Sequence, residues 1–159
     1  MNYQLAQINI AKMLAPIDDP IMADFVANLD RIYELAYQWD GFIWIYKPEE
    51  NNEVSLTIFD DEFLITNLSV WNNAEALYQY VYQSAHGEIF KRRKEWFAKM
   101  PEMYLALWYI PEGHKPTADE ARERLLYLRE HGETPYAFSF KKRFTVEEAI
   151  EFENVNFKK

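Results

Sequence analysis

The order in which strand-like and helix-like segments follow one another constrains the fold of this chain more than any other feature of its sequence. Alternating apolar residues predict strands over 3–10, 42–46, 63–71 and 103–110. Apolar residues at helical spacing follow the first strand, from Asp18 to Gly41, and the third, from Asn72 to just before Pro101. The predicted order is β-α-β-β-α-β, the ferredoxin-like arrangement of one antiparallel sheet with both crossover helices on one face, in the α+β class.

The remainder of the chain is predicted to be a C-terminal helical extension. Thr117 with Glu120, and Thr145 with Glu148, each match the pattern that caps a helix N-terminus. Residues 56–59 and 136–140 are candidates for additional short strands. With 159 residues the chain fits one domain, which we divide into a core at 1–112 and an extension at 113–159.

Composition excludes several classes of function. The chain has no cysteine, which removes disulfides, thiol nucleophiles and thiolate metal sites. A net charge of −9 disfavours binding to nucleic acid. The longest apolar run, 103–110, is too short to cross a bilayer, and the N-terminus lacks the pattern of a signal peptide, so we expect a cytoplasmic protein without a membrane partner. The three histidines are scattered, so we expect no metal site.

Splitting each strand by alternate residues gives two sheet faces of different chemistry. The aliphatic face is expected to pack under the helices and comprises Ala6, Ile8, Ile10, Ile43, Ile45, Leu64, Leu68, Val70, Leu105 and Leu107. The other face mixes aromatic and polar side chains and comprises Leu5, Gln7, Asn9, Phe42, Trp44, Tyr46, Ile65, Asn67, Ser69, Trp71, Tyr104, Ala106 and Trp108.

A face as apolar as this second one is not left in water. It either pairs with a second copy across a two-fold axis or lines a cavity for a small-molecule ligand. The two solutions are compatible, so we expect a homodimer that binds a small molecule. The candidate ligand-binding residues on this face are Gln7, Asn9, Trp44, Ser69, Tyr104 and Trp108.

Five segments carry a resemblance to a known family: LAQINIAKMLAP at 5–16, MADFVANLDRIYELA at 22–36, NLSVWNNAEALYQYVYQSAH at 67–86, RRKEWF at 92–97 and LWYIPEGHKPTADEARERL at 107–125. Over almost its whole length the chain resembles a bacterial family described only as domain of unknown function 3291, of the dimeric α/β-barrel superfamily. That resemblance implies two ferredoxin-like protomers paired sheet to sheet.

The informative relatives in that superfamily are the antibiotic-biosynthesis monooxygenases. These small proteins oxidise aromatic polyketides with molecular oxygen, often without a metal or organic cofactor. Their pattern ends the third strand in a Trp and later carries Ser-x-His, which Trp71 and the segment Ser84-Ala85-His86 match, and some of them share Asn67. The resemblance therefore implies that His86, Trp71 and Asn67 are catalytic and that no cofactor is required.

One departure from the pattern concerns haem. The first helix His of the pattern, which ligates iron in haem-degrading relatives, is Tyr80 here. Haem binding remains an alternative in which His86 would have to substitute for that ligand.

Two further residues have alternative interpretations. His86 is either a general base above the pocket or a side chain that fixes the helix kink. Arg93, in the run Arg92-Arg93-Lys94, either binds a substrate carboxylate or phosphate or belongs to a solvated helix face. Three functions stay open: a cofactor-independent monooxygenase-like enzyme for an aromatic or isoprenoid substrate, a non-catalytic ligand-binding or structural dimer, and a haem-binding protein.

Overall fold

A mixed α+β architecture is built around one open antiparallel sheet of five strands. The computed structural model describes residues 2–53 and 55–157. The strands are β1 (Tyr3–Met13), β2 (Phe42–Ile45), β3 (Leu64–Trp71), β4 (Phe97–Ala98) and β5 (Leu105–Pro111). β1 is central, with β3 on one side and β5 and the short β4 on the other, and β2 pairs with the outer edge of β3.

The helices begin where the sequence provides capping side chains. They are α1 (Ala23–Gln38), α2 (Ala74–Gln83), α3 (His86–Lys91), α4 (Ala118–His131) and α5 (Val146–Asn156). Thr117 and Thr145 accept hydrogen bonds from the backbone N–H three residues ahead, as predicted. In the described ranges, no helix combines the length and the apolarity that a membrane crossing needs.

The predicted helix after β3 is interrupted at Ser84, where a kink or restart is expected, and it ends sooner than predicted. Ser84 breaks it, because its hydroxyl donates to the carbonyl of Tyr80 and accepts from the backbone N–H of His86. The prediction that the helix runs to Pro101 is wrong. Trp96 is 1% exposed and packs with Met13 and Met22, and this burial turns the following residues into β4 alongside the end of β1.

The strand register corrects the predicted division of the sheet into faces. Leu107 lies opposite Gln7 and Trp108 lies opposite Ala6, so the predicted parity of β5 is wrong. A bulge between Phe42 and Trp44 also transfers Trp44 to the face of Val70. The cause in β2 is one extra residue, which reverses the direction of every side chain after it.

Both faces of the sheet are covered within the chain. The crossover helices α1 and α2 pack on the Gln7 face, where Ala36 and Leu77 join Trp71 in one apolar cluster. The prediction that they cover the aliphatic face is therefore wrong. That face is covered by the C-terminal extension and by residues 55–59, through the fully buried Leu125 of α4 and the buried Ile58.

Burial of both faces has two consequences for the predictions. The exposed apolar face that suggested sheet-to-sheet pairing does not exist in the described chain. In the extension at 113–159, α4 supplies Ala121, Leu125 and Leu128 to the same apolar cluster as β1, β3 and β5.

Candidate functional site

A buried network of four polar side chains lies on the sheet face beneath α1 and α2. Gln7 Nε2 donates to Ser69 Oγ at 2.8 Å and also to Asn67 Oδ1. Trp71 Nε1 donates to the same Ser69 Oγ at 2.8 Å. The antiparallel register sets Gln7 opposite Ser69, and the alternation of β3 places Asn67, Ser69 and Trp71 on one face. Since Gln7 and Ser69 are each only 2% exposed, the network holds the Asn67 amide in one orientation.

The Asn67 amide and its neighbour Asn9 retain free hydrogen-bonding capacity. Asn9 lies directly opposite Asn67 across the strand pair, and both residues are partly exposed. Asn67 Oδ1 is engaged by Gln7, whereas Asn67 Nδ2 and the Asn9 side chain have no bonding group within residues 2–53 and 55–157. In that same part of the chain, Arg124 Nε is the only buried side-chain nitrogen or oxygen without a hydrogen bond. The free amide groups of Asn9 and Asn67 therefore reach solvent-accessible space.

Two aromatic rings, those of Trp71 and Tyr80, connect this network to His86. The Trp71 and Tyr80 ring centroids are 5.1 Å apart, and those of Tyr80 and His86 are also 5.1 Å apart. The Tyr80 hydroxyl donates to the carbonyl of Ile32 at 2.8 Å, which ties α2 to α1. Burial raises the pKa of Tyr80, so its phenol remains protonated and keeps this bond. Tyr80 thus separates His86 from Trp71.

The environment of His86 selects one form of its imidazole. Its Nδ1 lies 3.1 Å from the carbonyl of Val81. Because a carbonyl can only accept, we assign the proton to Nδ1, and Nε2 then carries the free lone pair. Burial lowers the pKa of His86, which keeps the ring neutral at pH 7. The ring is therefore in the form required of a proton acceptor.

Gly87 contributes to this geometry in a way that the sequence did not indicate. A Cβ atom at Gly87 would lie 2.9 Å from the carbonyl oxygen of Tyr82. Glycine therefore allows α3 to start close against the end of α2, directly after His86. A lone glycine in a helical pattern gives no sign of such a contact, because the contact depends on the break at Ser84.

The remaining sequence-predicted site residues lie elsewhere. Trp44 and Trp108 pack in the cluster on the opposite face, and Trp108 Nε1 donates to Glu120 Oε2 at 2.9 Å. Tyr104 is 45% exposed just before β5. Arg93 is exposed, with its guanidinium 4.4 Å from the centroid of the Phe90 ring. The structure thus brings together Gln7, Asn9, Asn67, Ser69 and Trp71, places His86 beyond Tyr80, and groups none of the other four with them.

Two surface clefts lie outside this site. One of about 400 Å³ is lined by Trp39, Asp40, Gly41, Asn72, Asn73, Glu75, Ala76 and Gln79. The other, of about 520 Å³, is lined by Pro135, Glu147, Glu148, Glu151, Phe152, Val155 and Asn156. Among the residues that the structure describes, no three His, Asp or Glu side chains gather as a group that could hold a metal ion.

The comparisons with known proteins identify the family. A family model described as Domain of unknown function (DUF3291) matches residues 4–154. The chain belongs to the DUF3291 family. The match includes the amide network, Tyr80, His86 and most of α5, so the candidate site lies wholly within the DUF3291 domain. No curated protein and no solved structure matches this DUF3291 chain.

Proposed function

We propose that this DUF3291 chain binds a small, largely apolar molecule that carries a hydrogen-bond-accepting oxygen. The observation that carries the proposal is the Asn67 amide, whose Oδ1 is engaged by buried Gln7 while its Nδ2 bonds to no group among the residues that the structure describes. Next to it, Asn9 offers a second free amide. On the same face, Ile65 and Leu105 are half-buried neighbours of these two groups. Apolar walls with a few fixed polar groups are typical of small-molecule sites.

A monooxygenase-like reaction on an aromatic or isoprenoid substrate is the second part of the proposal. In it, an extended substrate reaches past Tyr80, so that His86 Nε2 accepts a proton from a carbon at one end while the Asn67 amide N–H stabilises the conjugated oxyanion at the other end. The anion then reduces molecular oxygen and forms a hydroperoxide at its own ring carbon, and loss of water leaves a quinone; one oxygen atom enters the substrate, the other leaves as water, and the substrate supplies all the electrons. The neutral imidazole with an unprotonated Nε2 supports this role for His86. Trp71 does not bond to the oxyanion, because its indole N–H already donates to Ser69; it supports the site by packing on Tyr80.

The residues around Tyr80 do not fit haem. The resemblance to haem-degrading proteins implies an iron ligand at this position, but a buried tyrosine occupies it and its hydroxyl is bonded to the carbonyl of Ile32. The His86 ring contacts Tyr80, and the described residues show no ring contact between His86 and Trp71. We therefore assign no step to haem, and a titration with haemin checks this: a Soret band lost in His86→Ala would overturn the assignment.

The ferredoxin-like description and the dimer belong to the proposal as well. The order β2-β3-β1-β5, with α1 joining β1 to β2 and α2 following β3, supports the ferredoxin-like description. Sheet-to-sheet pairing has no comparable support, because α1 and α2 cover the Gln7 face and α4 with residues 55–59 covers the opposite face. If the chain forms a homodimer, we expect it to use another surface.

Binding is tested with a matched pair of ligands that differ in one oxygen. We expect 1-naphthol to raise the thermal midpoint of the protein more than naphthalene does, because ligand binding stabilises the folded state. The difference should disappear in Asn67→Asp, which keeps the acceptor for Gln7 and replaces the free N–H group by an oxygen. It should persist in Asn72→Asp, an equal charge change on an exposed asparagine. Equal shifts for both ligands in the wild type, or no shift with either, would contradict the proposal.

The oxygenase step has its own test. Oxygen uptake with a hydroxylated aromatic substrate should be lost in His86→Gln, while the thermal shift by the same substrate is retained. Uptake at the wild-type rate in His86→Gln would remove His86 from the reaction without affecting the binding proposal.

A further inference from the structure

Two neighbouring arginines after α3 have different electrostatic surroundings. The guanidinium of Arg92 bonds to the carboxylates of Asp24 and Glu95, each at 2.8 Å. Arg93 forms no salt bridge with any residue that the structure describes, although the chain contains 26 acidic residues. An arginine left without a carboxylate in a chain of net charge −9 can pair with an anion from outside the chain.

The Arg93 guanidinium is held in place without loss of its charge. One of its terminal nitrogens, Nη1, donates to the carbonyl of Phe90 at 3.1 Å, and its central carbon lies 4.4 Å from the centroid of the Phe90 ring. A guanidinium has five N–H donors, and within residues 2–53 and 55–157 this is the one bond that those of Arg93 make. A guanidinium fixed in this way can bind a carboxylate through two parallel hydrogen bonds and loses little freedom in doing so.

Aromatic side chains border Arg93. The rings of Phe90 and Tyr82 meet edge to face, with centroids 5.4 Å apart, and Tyr82 and Tyr104 are both exposed. Burial and the nearby Tyr104 hydroxyl raise the pKa of Tyr82, whereas the positive charge of Arg93 opposes that rise. Tyr82, Tyr104 and Arg93 are therefore within electrostatic reach of one another. Exposed rings beside a fixed cation suit a ligand that is both aromatic and anionic.

These groups lie next to both apolar walls of the proposed ligand site. Tyr104 directly precedes Leu105, which is one wall. In α3, Ile89 packs against the same apolar cluster as Ile65, which is the other wall. A molecule that lies between the two walls, with one end at the free amide groups, therefore extends towards Arg93.

We propose that the ligand is an aromatic carboxylate, with an oxygen of its ring system at the Asn67 amide and its carboxylate on the Arg93 guanidinium. This inference rests on the proposed function, because it assigns the second polar end of the same ligand. A carboxylate fits better than a phosphate monoester, since its single charge matches that of one guanidinium. A phosphate monoester carries about −1.5 to −2 charges at pH 7, and the excess would face an acidic chain.

An acid and its methyl ester test the carboxylate directly. Isothermal titration calorimetry at about 0.15 M salt, where distant surface charges are largely screened, should show 6-hydroxy-2-naphthoate binding the wild type about tenfold more tightly than methyl 6-hydroxy-2-naphthoate. In Arg93→Gln the acid should bind only as tightly as the ester, and the affinity of the ester should not change. Lys94→Gln, which removes an equal charge at the exposed neighbouring residue, should keep the tenfold preference.

The uncharged ester separates failure of this inference from failure of the proposed function. Its affinity should fall in Asn67→Asp, and an ester that binds Asn67→Asp as tightly as the wild type would contradict the proposed function. Equal affinities of acid and ester in the wild type, or a preference that survives in Arg93→Gln, would overturn the role of Arg93 alone. A preference lost equally in Lys94→Gln would overturn it too, because general surface charge would then account for the effect. Absence of binding by either ligand would contradict both.

Discussion

Replacing Ser69 by alanine is the sharpest perturbation of the amide network. The Ser69 hydroxyl accepts from Trp71 Nε1 and from Gln7 Nε2, both at 2.8 Å. Gln7 keeps Asn67 Oδ1 as an acceptor after the change, whereas the indole N–H of Trp71, a residue 2% exposed, is left with none. A buried donor without an acceptor costs about 1–3 kcal/mol. We therefore expect Ser69→Ala to lower the free energy of unfolding by about 2 kcal/mol.

A double-mutant cycle assigns that cost to the indole N–H. Trp71→Phe removes the stranded donor, so the double variant should be more stable than the sum of the two single changes predicts, by about 1 kcal/mol. Urea unfolding followed by circular dichroism gives the free energy of unfolding of the wild type, the two single variants and the double variant. As a control, Ser55→Ala at an exposed serine should stay within about 0.5 kcal/mol of the wild type. Strict additivity of Ser69→Ala and Trp71→Phe would refute the network as described.

Three further predictions concern other parts of the molecule. Burial lowers the pKa of His86 below its ordinary value of 6.5. As the pH falls below 6.5, the unfolded chain therefore binds a proton that the folded protein does not. The free energy of unfolding should decrease until the pH has passed the folded pKa. Urea unfolding between about pH 7 and pH 5 should show that loss in the wild type and a smaller one in His86→Gln. Gly41 and Gly113 have similar positive φ angles of 97° and 90°. Only at Gly41 would a Cβ atom approach another atom closely, at 2.5 Å from Ala76 Cβ. The midpoint of thermal unfolding of Gly41→Ala should therefore be well below that of Gly113→Ala. Leu125→Ala should lower the free energy of unfolding in urea by about 2–5 kcal/mol, because the Leu125 side chain is fully buried. Leu126 is its exposed neighbour, and an equal loss in Leu126→Ala would contradict the place of α4 in the core.

The sequence predicted the order of the elements except for the short β4, because period and capping are local properties. Strand alternation in β1 and β3 also placed Gln7, Asn67, Ser69 and Trp71 on one face, as the register shows. In β5, by contrast, Leu105–Ile110 is apolar at every position, so alternation contains no information about which side faces which helix. The bulge in β2 is one extra residue whose presence depends on pairing with β3.

The parts of the site that sequence reasoning missed depend on tertiary contacts. The role of Tyr80 as a spacer between Trp71 and His86 follows from the distance between helix and sheet. The place of α4 over the aliphatic face could not be read from its own pattern, because an amphipathic helix specifies an apolar side and not the surface that it covers. The same ambiguity led to the expectation of an exposed aromatic face.

Native mass spectrometry of gently desalted, freshly purified protein tests the central claim, that the chain binds a small molecule at the Asn67 amide. We predict a non-covalent small-molecule adduct on the wild type, retained in Asn72→Asp and lost in Asn67→Asp. An adduct that survives in Asn67→Asp, or a wild type that carries none, would contradict the account.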